Sequence, residues 1–494
     1  MSRYIIDWVR RLEKTNETEA KYMLSITLST LLILSMWVAA GLSALSAART
    51  ARTPQGAMGW VVFLLSLPII ALPAYLFFGH HRFRNYRNAR LLSARTVQGI
   101  KDFPHNHAVD PEQMAVNPAP FEAVAGLQVC RGNGFELLVD GKDSFLSIFK
   151  AIDEAKDYVL VQFYIVRDDG LGGRLRDHMV AAAQRGVAVW FMTDAVGSHA
   201  LPHSYSISLQ AAGVNLVDPG TRRGPKHRFL LNFRNHRKTV IVDGKIGFTG
   251  GLNVGDEYLG KDPSFGPWRD TNVRITGPVV LQLQLAFAED WHWLTEEPLL
   301  DLLDWNAHIA KQDLAALIIA TGPGDSTTET GSMMFFSAIS AAKSRVWITS
   351  PYFVPDLDVV AALKHAALKG VDVRILLPDS IDHLAPWLAA YSYFDDLRAT
   401  GVKILRYKPG FMHQKVILVD ETIAGIGTTN LDNRSFRLNF EAMAFFFGNT
   451  AARQVATMLR HDFTQAEEIT KGLDQQKLLI RLAAPVARLF APVL

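Results

Sequence analysis

The feature that most constrains this chain is a short motif that occurs twice. His236, Lys238 and Asp243 have the spacing His-x-Lys-x4-Asp, and His413, Lys415 and Asp420 repeat it 177 residues later. Gly250, Gly251 and Asn253 then follow the first copy where Gly427, Thr428 and Asn430 follow the second. The flanks repeat too. Ala151, Ile152, Ala155 and Lys156 lead into the apolar run 159–166, as Ala338, Ile339, Ala342 and Lys343 lead into 346–354. Gly186 and Gly370 precede matching apolar runs, and Gly213 and Gly401 each precede a short strand-like run. These landmarks lie 184 to 188 residues apart, so the first copy carries about 11 extra residues between Gly213 and His236. Self-similarity of this length marks one fold duplicated and fused.

Residues two apart in an extended strand share a face, so His413 and Lys415 are expected to point the same way. The run Val416 to Val419 has the character of a buried strand, which Asp420 closes. An ammonium is costly to bury there unless an anion or a partner meets it. Taken once, the pattern fits a solvated strand end as well as a site; taken twice, it predicts an active site.

The paired His-x-Lys-x4-Asp motifs, each followed by Gly-x-x-Asn, resemble the phospholipase D superfamily. Within it, Gly251-Leu-Asn-Val-Gly-Asp-Glu-Tyr-Leu-Gly260, Trp268-Arg-Asp-Thr271, Pro351-Tyr-Phe-Val-Pro355 and Asn430-Leu-Asp-Asn-Arg-Ser-Phe436 are similar to bacterial cardiolipin synthases. The resemblance extends to about Phe447. It implies an α/β fold, two fused phospholipase D-like α/β sandwich halves facing each other across one site. The alternation of strand-like runs with helical stretches such as 173–184 agrees with that class.

At 494 residues the chain can build two domain-sized cores with appendages. Its single Cys130 excludes an internal disulfide and fits a reducing compartment. No Cys cluster or His-Glu-x-x-His spacing occurs, and a Lys beside each His repels cations, so no metal is expected; the mechanism that the resemblance implies requires no cofactor. A formal charge of +3 is nearly balanced, which leaves partners to be read from local patches.

Two transmembrane helices are expected ahead of the catalytic halves. Residues 23–47 run for 25 residues without a charge, against the roughly 20 that a helix needs to cross a bilayer. A second uncharged run spans 58–78 and contains Pro68 and Pro73, which membrane helices tolerate. A signal peptide is the rival reading of the first run, but its apolar core is too long and a second one follows directly. Five basic residues precede the first run, Arg49 and Arg52 lie between the two, and Arg82, Arg84, Arg87, Arg90 and Arg95 follow. That distribution puts both ends, and the catalytic region, on the cytoplasmic side of the inner membrane.

The expected domains are therefore a cytoplasmic segment 1–22, helices 23–47 and 58–78, a juxtamembrane linker 79–131 and a first half 132–297. A bridge 298–330, a second half 331–470 and an apolar tail 471–494 complete the chain. Trp291, Trp293 and Trp305 are read as core or interface residues. The extra segment 221–237 mixes Arg222, Arg223, Lys226, Arg228, Arg234 and Arg237 with Phe229 and Phe233. Such a mixture could track nucleic acid, but beside membrane helices it suits anionic headgroups better. Phosphatidylglycerol and anionic membrane lipid are the expected partners, with no nucleic acid. The tail from Lys477 is expected either on the membrane surface or packed on the catalytic region.

The superfamily motif makes His236, Lys238, Asp243, His413, Lys415 and Asp420 the candidate catalytic set, supported by Asn253, Asn430, Asp270 and Glu441. The resemblance implies that one His attacks phosphorus and forms a phosphohistidine, while the other protonates the leaving alcohol and later deprotonates the incoming one. Lys238 and Lys415 would hold the non-bridging oxygens, with Asn253 and Asn430 as neutral donors. For a cardiolipin synthase, one phosphatidylglycerol gives up glycerol and a second supplies the accepting hydroxyl. A hydrolase of the same superfamily and a non-catalytic lipid-binding scaffold are the alternatives.

Parity separates Asp243 and Asp420 from the imidazoles. Each stands seven residues after its His, an odd separation, which sends it to the opposite face and along the strand. Their expected part is to close the strand end. The carboxylates expected to orient the rings are instead Asp270, assigned to His236, and Glu441, assigned to His413; Glu257 is a third candidate, although its place in the Gly-Asp-Glu-Tyr turn suits bracing a loop better.

Overall fold

The computed structural model describes residues 2–51, 53–79, 109, 114–217, 234–323 and 329–494. It divides into two units, Met1–Arg82 and Phe83–Leu494. The basic segment expected to meet lipid headgroups lies outside the described residues up to Phe233, as do Arg82 to Arg95.

In the first unit, helix α1 spans Ser2–Thr50, and its part Lys21–Thr50 is long and apolar enough to cross a membrane by length and composition. The second apolar run is not one helix. It forms α2, Pro54–Ser66, and α3, Pro68–Phe78. Pro68 has no N–H and disfavours helical geometry in the residue before it, and Leu67 accordingly leaves the helix at φ −136°, ψ 60°. Thr53 caps α2 by accepting from the Gly56 N–H at 3.1 Å. Small residues, Ala44 and Ala47 on α1 and Ala71 on α3, let the three helices approach around Leu64 and Tyr75.

Among the described residues the second unit has twenty strands, sixteen of them in one sheet and four in two separate two-stranded pairs. The first half supplies β1 (Cys130–Val139), β2 (Tyr158–Phe163), β3 (Ala188–Thr193), β4 (Asn215–Val217), β5 (Arg234–Asn235), β6 (Thr239–Val242), β7 (Ile246–Gly250), β8 (Trp268–Arg269) and β9 (Thr271–Thr276). The second supplies β10 (Leu314–Thr321), β11 (Arg345–Thr349), β12 (Phe353–Val354), β13 (Asp372–Pro378), β14 (Lys403–Tyr407) and β15 (Phe411–Met412). It continues with β16 (Val416–Val419), β17 (Ile423–Gly427), β18 (Leu431–Asp432), β19 (Asn439–Phe447) and β20 (Ala466–Glu468).

The order β4-β3-β2-β6-β7-β9-β1 is followed by its mirror in sequence, β10-β19-β17-β16-β11-β13-β14, with β20 at the far edge. In each half the pairings β4-β3-β2 and β14-β13-β11 are parallel and those from there to β1 and β10 antiparallel, so the duplication read from the motifs is a duplication of topology. The halves join where β1 pairs antiparallel with β10. Residues 298–330, expected as a bridge, thus contain a central strand of the second half.

Alternation along the strands feeds layers on both faces of the sheet. Val416 and Leu418 enter a core shared with the helices Val279–Thr295 and Asn449–Thr464. Ile417 and Val419 face the opposite side, where the helices Thr330–Ser340, Leu357–Leu368 and Leu384–Arg398 pack. Trp291 is buried in the shared core and Trp305 packs against it, while Trp293 lies on Phe440 with ring centroids 5.1 Å apart. The tail forms a helix, Leu478–Arg488, and a short turn, Ala491–Val493, which pack on the rest of the second unit through Ala487 and Ala491.

Candidate active site

Two short cross-half ladders build the site. β5 runs parallel to the start of β19, with Arg234 opposite Asn439 and Asn235 opposite Phe440. β15 runs parallel to β8, with Phe411 opposite Trp268 and Met412 opposite Arg269. One step further in register, His236 meets Glu441 and His413 meets Asp270. The His236 N–H donates to Phe440 O at 2.9 Å and the His413 N–H to Arg269 O at 2.8 Å, continuing both ladders.

His236 Nδ1 lies 2.9 Å from Glu441 Oε2, and His413 Nδ1 lies 2.8 Å from Asp270 Oδ2. Asp270 and Glu441 are therefore the orienting carboxylates, but each serves the histidine of the opposite half. This reverses the expected assignment of Asp270 to His236 and Glu441 to His413. Proximity within one copy misled, because the parallel ladders run between copies. A carboxylate only accepts, so each Nδ1 carries the proton and each Nε2 keeps its lone pair.

Asp243 and Asp420 stand at the other end of β6 and β16. Asp243 accepts from the backbone N–H groups of Lys156, Asp157 and Tyr158 at 3.0, 2.8 and 2.9 Å. Asp420 accepts from those of Lys343, Ser344 and Arg345 at 2.9, 2.7 and 2.9 Å. Both have φ near +50°, 52° and 53°, as the turn that ends the strand requires. Their place in the catalytic set is thus corrected to fastening a strand end to the preceding helix–strand loop, because an odd step along a strand carries a side chain away from its His.

The lysines do reach the site. Lys238 Nζ donates to His236 O at 2.7 Å and Lys415 Nζ to His413 O at 2.6 Å, so each ammonium folds back beside its own imidazole. Both are buried, and the two histidines are only 8% and 7% exposed. Burial holds His236 down at about 4, Lys238 adding to the effect while Glu441 opposes it. Burial and then Lys415 hold His413 at about 4, with Asp270 opposing. Burial lowers Lys415 to about 8 against the pull of Asp270 and Glu441, and lowers Lys238 well below its ordinary value. Each lysine acts on the other half's histidine as well as its own, which makes the two copies one electrostatic site.

The asparagines differ. Asn253 is engaged by the protein, accepting from the Ile165 N–H and donating to the Tyr258 hydroxyl, both at 3.1 Å. Asn430 is buried, with its Oδ1 unbonded. Glu257 pairs with Arg167 at 3.3 Å and braces a loop, as expected.

Several neighbours were given no part in the site by the sequence, and Arg237, expected among the basic residues that meet lipid headgroups, is instead fully buried against Asp290. Tyr164 sets its ring edge against His236, centroids 4.9 Å apart, with Lys238 Nζ 5.4 Å from its centroid. Thr428 donates to Glu441 Oε2 at 2.5 Å and Asn439 to Glu441 Oε1 at 3.1 Å. Beneath the ladders lie two buried ion pairs, Arg237 with Asp290 at 2.6 Å and Arg269 with Asp462 at 2.8 Å. Arg237 also donates to the Glu441 carbonyl at 3.0 Å, so it fixes the residue that fixes His236. The one signal in the sequence was Thr428 standing where the first copy has Gly251.

A polar pair of this kind, two neutral imidazoles with carboxylates behind them and two buried ammoniums beside them, is suited to transfer at an anionic phosphodiester. A family model described as cardiolipin synthase, phospholipase D-like domain, matches residues 148–291 and 335–463, one segment in each half. Cardiolipin synthase A of Pseudomonas aeruginosa is 43% identical over 480 residues, covering 96% of this chain and 97% of that protein. The chain belongs to the cardiolipin synthase family. Cardiolipin synthase A of Pseudomonas putida is 45% identical over 462 residues, covering 92% of this chain and 95% of the relative. The crystal structure of phosphatidylserine synthase from Haemophilus influenzae shares the fold, with a TM-score of 0.55 at 14% identity, over 76% of this chain and 97% of that one. Among the described residues no group of His, Cys, Asp and Glu is arranged to hold a metal ion.

Proposed function

We propose that this protein is a membrane phosphatidyltransferase that condenses two phosphatidylglycerol molecules to cardiolipin and glycerol. The observation that carries the proposal is the pair of neutral imidazoles, each held at Nδ1 by a carboxylate of the opposite half with its Nε2 lone pair free of that bond. One Nε2 attacks the phosphorus of the first lipid. The phosphorus–oxygen bond to the terminal glycerol breaks as the phosphorus–nitrogen bond forms, and the second imidazole, protonated, gives its proton to the departing alkoxide. That imidazole then takes the proton of a second lipid's terminal hydroxyl, whose oxygen displaces the histidine from phosphorus.

The buried ammoniums of Lys238 and Lys415 fit the non-bridging oxygens, where charge accumulates in the transition state. An arriving phosphodiester anion raises the proton affinity of the imidazoles, so the one acting as acid takes from solvent the proton that burial withholds at rest, while the attacking one stays neutral. Family membership supports the lipid substrates, and the helix Lys21–Thr50 supports attachment to the membrane that contains them. The basic residues around the apolar runs support a cytoplasmic catalytic unit. A reporter fused after Leu494 that is active only in the periplasm would reject that orientation.

Incubation of the purified protein with labelled phosphatidylglycerol in detergent tests the reaction. Cardiolipin with glycerol is expected. Phosphatidic acid as the main product would make water the acceptor and the protein a hydrolase, and no turnover would reject both.

A further inference from the structure

The tail helix Leu478–Arg488 and the turn after it carry an apolar face that the catalytic unit leaves open. Leu478, Leu479, Leu482, Val486, Leu489 and Phe490 are 55% to 81% exposed. At 100° per residue all six fall within an arc of about 120°. Ala484, Ala487 and Ala491 lie on the other side and are buried. The helix is therefore not an unpacked end: its small residues are docked, and its large apolar ones point away.

Charge decides what could cover this face. From Lys477 to Leu494 the chain has three basic residues and no acidic one, and all three follow one edge of the exposed arc. Arg488 keeps its guanidinium 4.8 Å from the centroid of Tyr393. An apolar arc edged by cations matches the boundary between headgroups and acyl chains of an anionic bilayer.

The face also leads to the chemistry. The tail helix packs on the helix Leu384–Arg398, whose first residue, Leu384, is 60% exposed, and Ile381 beside it is 46% exposed. Between them Asp382 accepts from the Tyr352 hydroxyl and is among the charges acting on Lys415. At its far end the tail meets the short helix Asn433–Arg437, where the Arg434 N–H donates to Leu494 O at 2.8 Å and its guanidinium to Val493 O at 3.3 Å.

We propose that the tail helix docks on the surface of an anionic lipid bilayer, its leucine arc among the acyl chains and Lys477, Arg481 and Arg488 at the headgroups, holding the catalytic unit against the lipid. The proposal rests on the lipid-transfer reading of that site.

The test uses the full chain reconstituted in vesicles of phosphatidylglycerol and phosphatidylcholine, with one nitroxide at Leu479→Cys, Leu482→Cys or Leu489→Cys. The native thiol Cys130 is buried and leaves the label site unique. Collision with oxygen is compared with collision with a water-soluble nickel chelate, and a label at Lys150→Cys, on an exposed position of another helix, serves as the aqueous reference. Tail labels are expected to favour oxygen several-fold over the reference. A ratio equal to the reference would overturn the proposal, and so would exclusion of both reagents, which would place a second protein copy on the face.

A second measurement is kinetic. The double variant Leu479→Glu/Leu482→Glu, at two exposed positions, is expected to raise KM for vesicle phosphatidylglycerol several-fold while leaving turnover of a dispersed short-chain analogue unchanged. An unchanged KM on vesicles would overturn the proposal. Absence of turnover in the unaltered protein would instead overturn the lipid-transfer reading, with the label result standing by itself.

Discussion

The two histidine sites have the same plan and different fittings. His236 is held by Glu441, and that carboxylate is itself held by the Thr428 hydroxyl and the Asn439 amide. His413 is held by the shorter Asp270, whose Oδ1 takes the Thr271 N–H at 2.8 Å and whose Oδ2 lies 3.4 Å from the Trp268 indole nitrogen. Where the second copy has Thr428 the first has Gly251, and a Cβ added at Gly251 would stand 1.9 Å from Asp270 Oδ1. The longer carboxylate thus goes with a hydroxyl that supports it, and the shorter with a glycine that makes room. Two copies of a motif can deliver matched imidazoles by different local means, provided each carboxylate and its neighbour change together.

The comparison breaks most sharply at the histidines. His236→Ala and His413→Ala are each expected to lower kcat by at least about 10³-fold in the detergent assay, because attack and proton transfer need both rings. Near-normal synthesis by either variant would leave one working site and an idle copy. Lys238→Ala and Lys415→Ala come next, at about 3 to 4 kcal/mol, or roughly 10² to 10³ in kcat/KM, the usual loss for a group that stabilises transition-state charge.

The carboxylates sharpen the crossing of the halves. Glu441→Gln is expected to cost on the order of 10²-fold, within the range ascribed to tuned acid–base groups. In histidine-labelled protein it should move the Nδ1 proton resonance of His236 and leave that of His413 in place, with Asp270→Asn doing the reverse. Resonances that follow the copy in sequence, and not the opposite half, would contradict the ladders.

Thr428→Val probes the difference in fittings. Removing a donor to a charged, buried acceptor costs about 1.5 to 3 kcal/mol, so about tenfold or more in kcat/KM is expected if the support is transmitted to His236. A loss equal for both histidine signals would make Thr428 a general packing residue.

The smallest effects follow pH. Lys415 sits at about 8 when folded against an ordinary 10.5, so above about 8 the free enzyme loses the ammonium, and kcat/KM is expected to fall there. Between those values the unfolded chain binds more protons, so stability rises with pH through that window, and at neutral pH the buried ammonium works against folding. Lys415→Met should therefore raise the Tm by a few degrees while removing activity. The histidines, at about 4 against 6.5, follow the same rule lower on the scale: stability contributed above 6.5 is lost as pH falls toward 4. A lower Tm in Lys415→Met would show that the carboxylates need the lysine more than burial penalises it.

The sequence by itself determined the duplication, the faces of the strands and the identity of nearly every group at the site. These are local quantities: period-two alternation put Asp243 and Asp420 away from the imidazoles, and spacing matched the motif across the copies. It also marked the membrane-length run 23–47, but not that the second run divides at Leu67, where Pro68 prevailed over the uninterrupted hydropathy. What only the tertiary structure decided is which carboxylate faces which histidine. Glu441 is 205 residues from His236 and Asp270 is 143 from His413, and the carboxylates sit near the starts of equivalent strands, Glu441 within β19 and Asp270 just before β9. Nothing in either copy distinguishes its own partner from the other's. The choice belongs to two-residue parallel ladders between β5 and β19 and between β8 and β15. Those ladders run between halves that are joined through β1 and β10, and a contact between duplicated segments is fixed by how the copies pack and not by the pattern that each repeats.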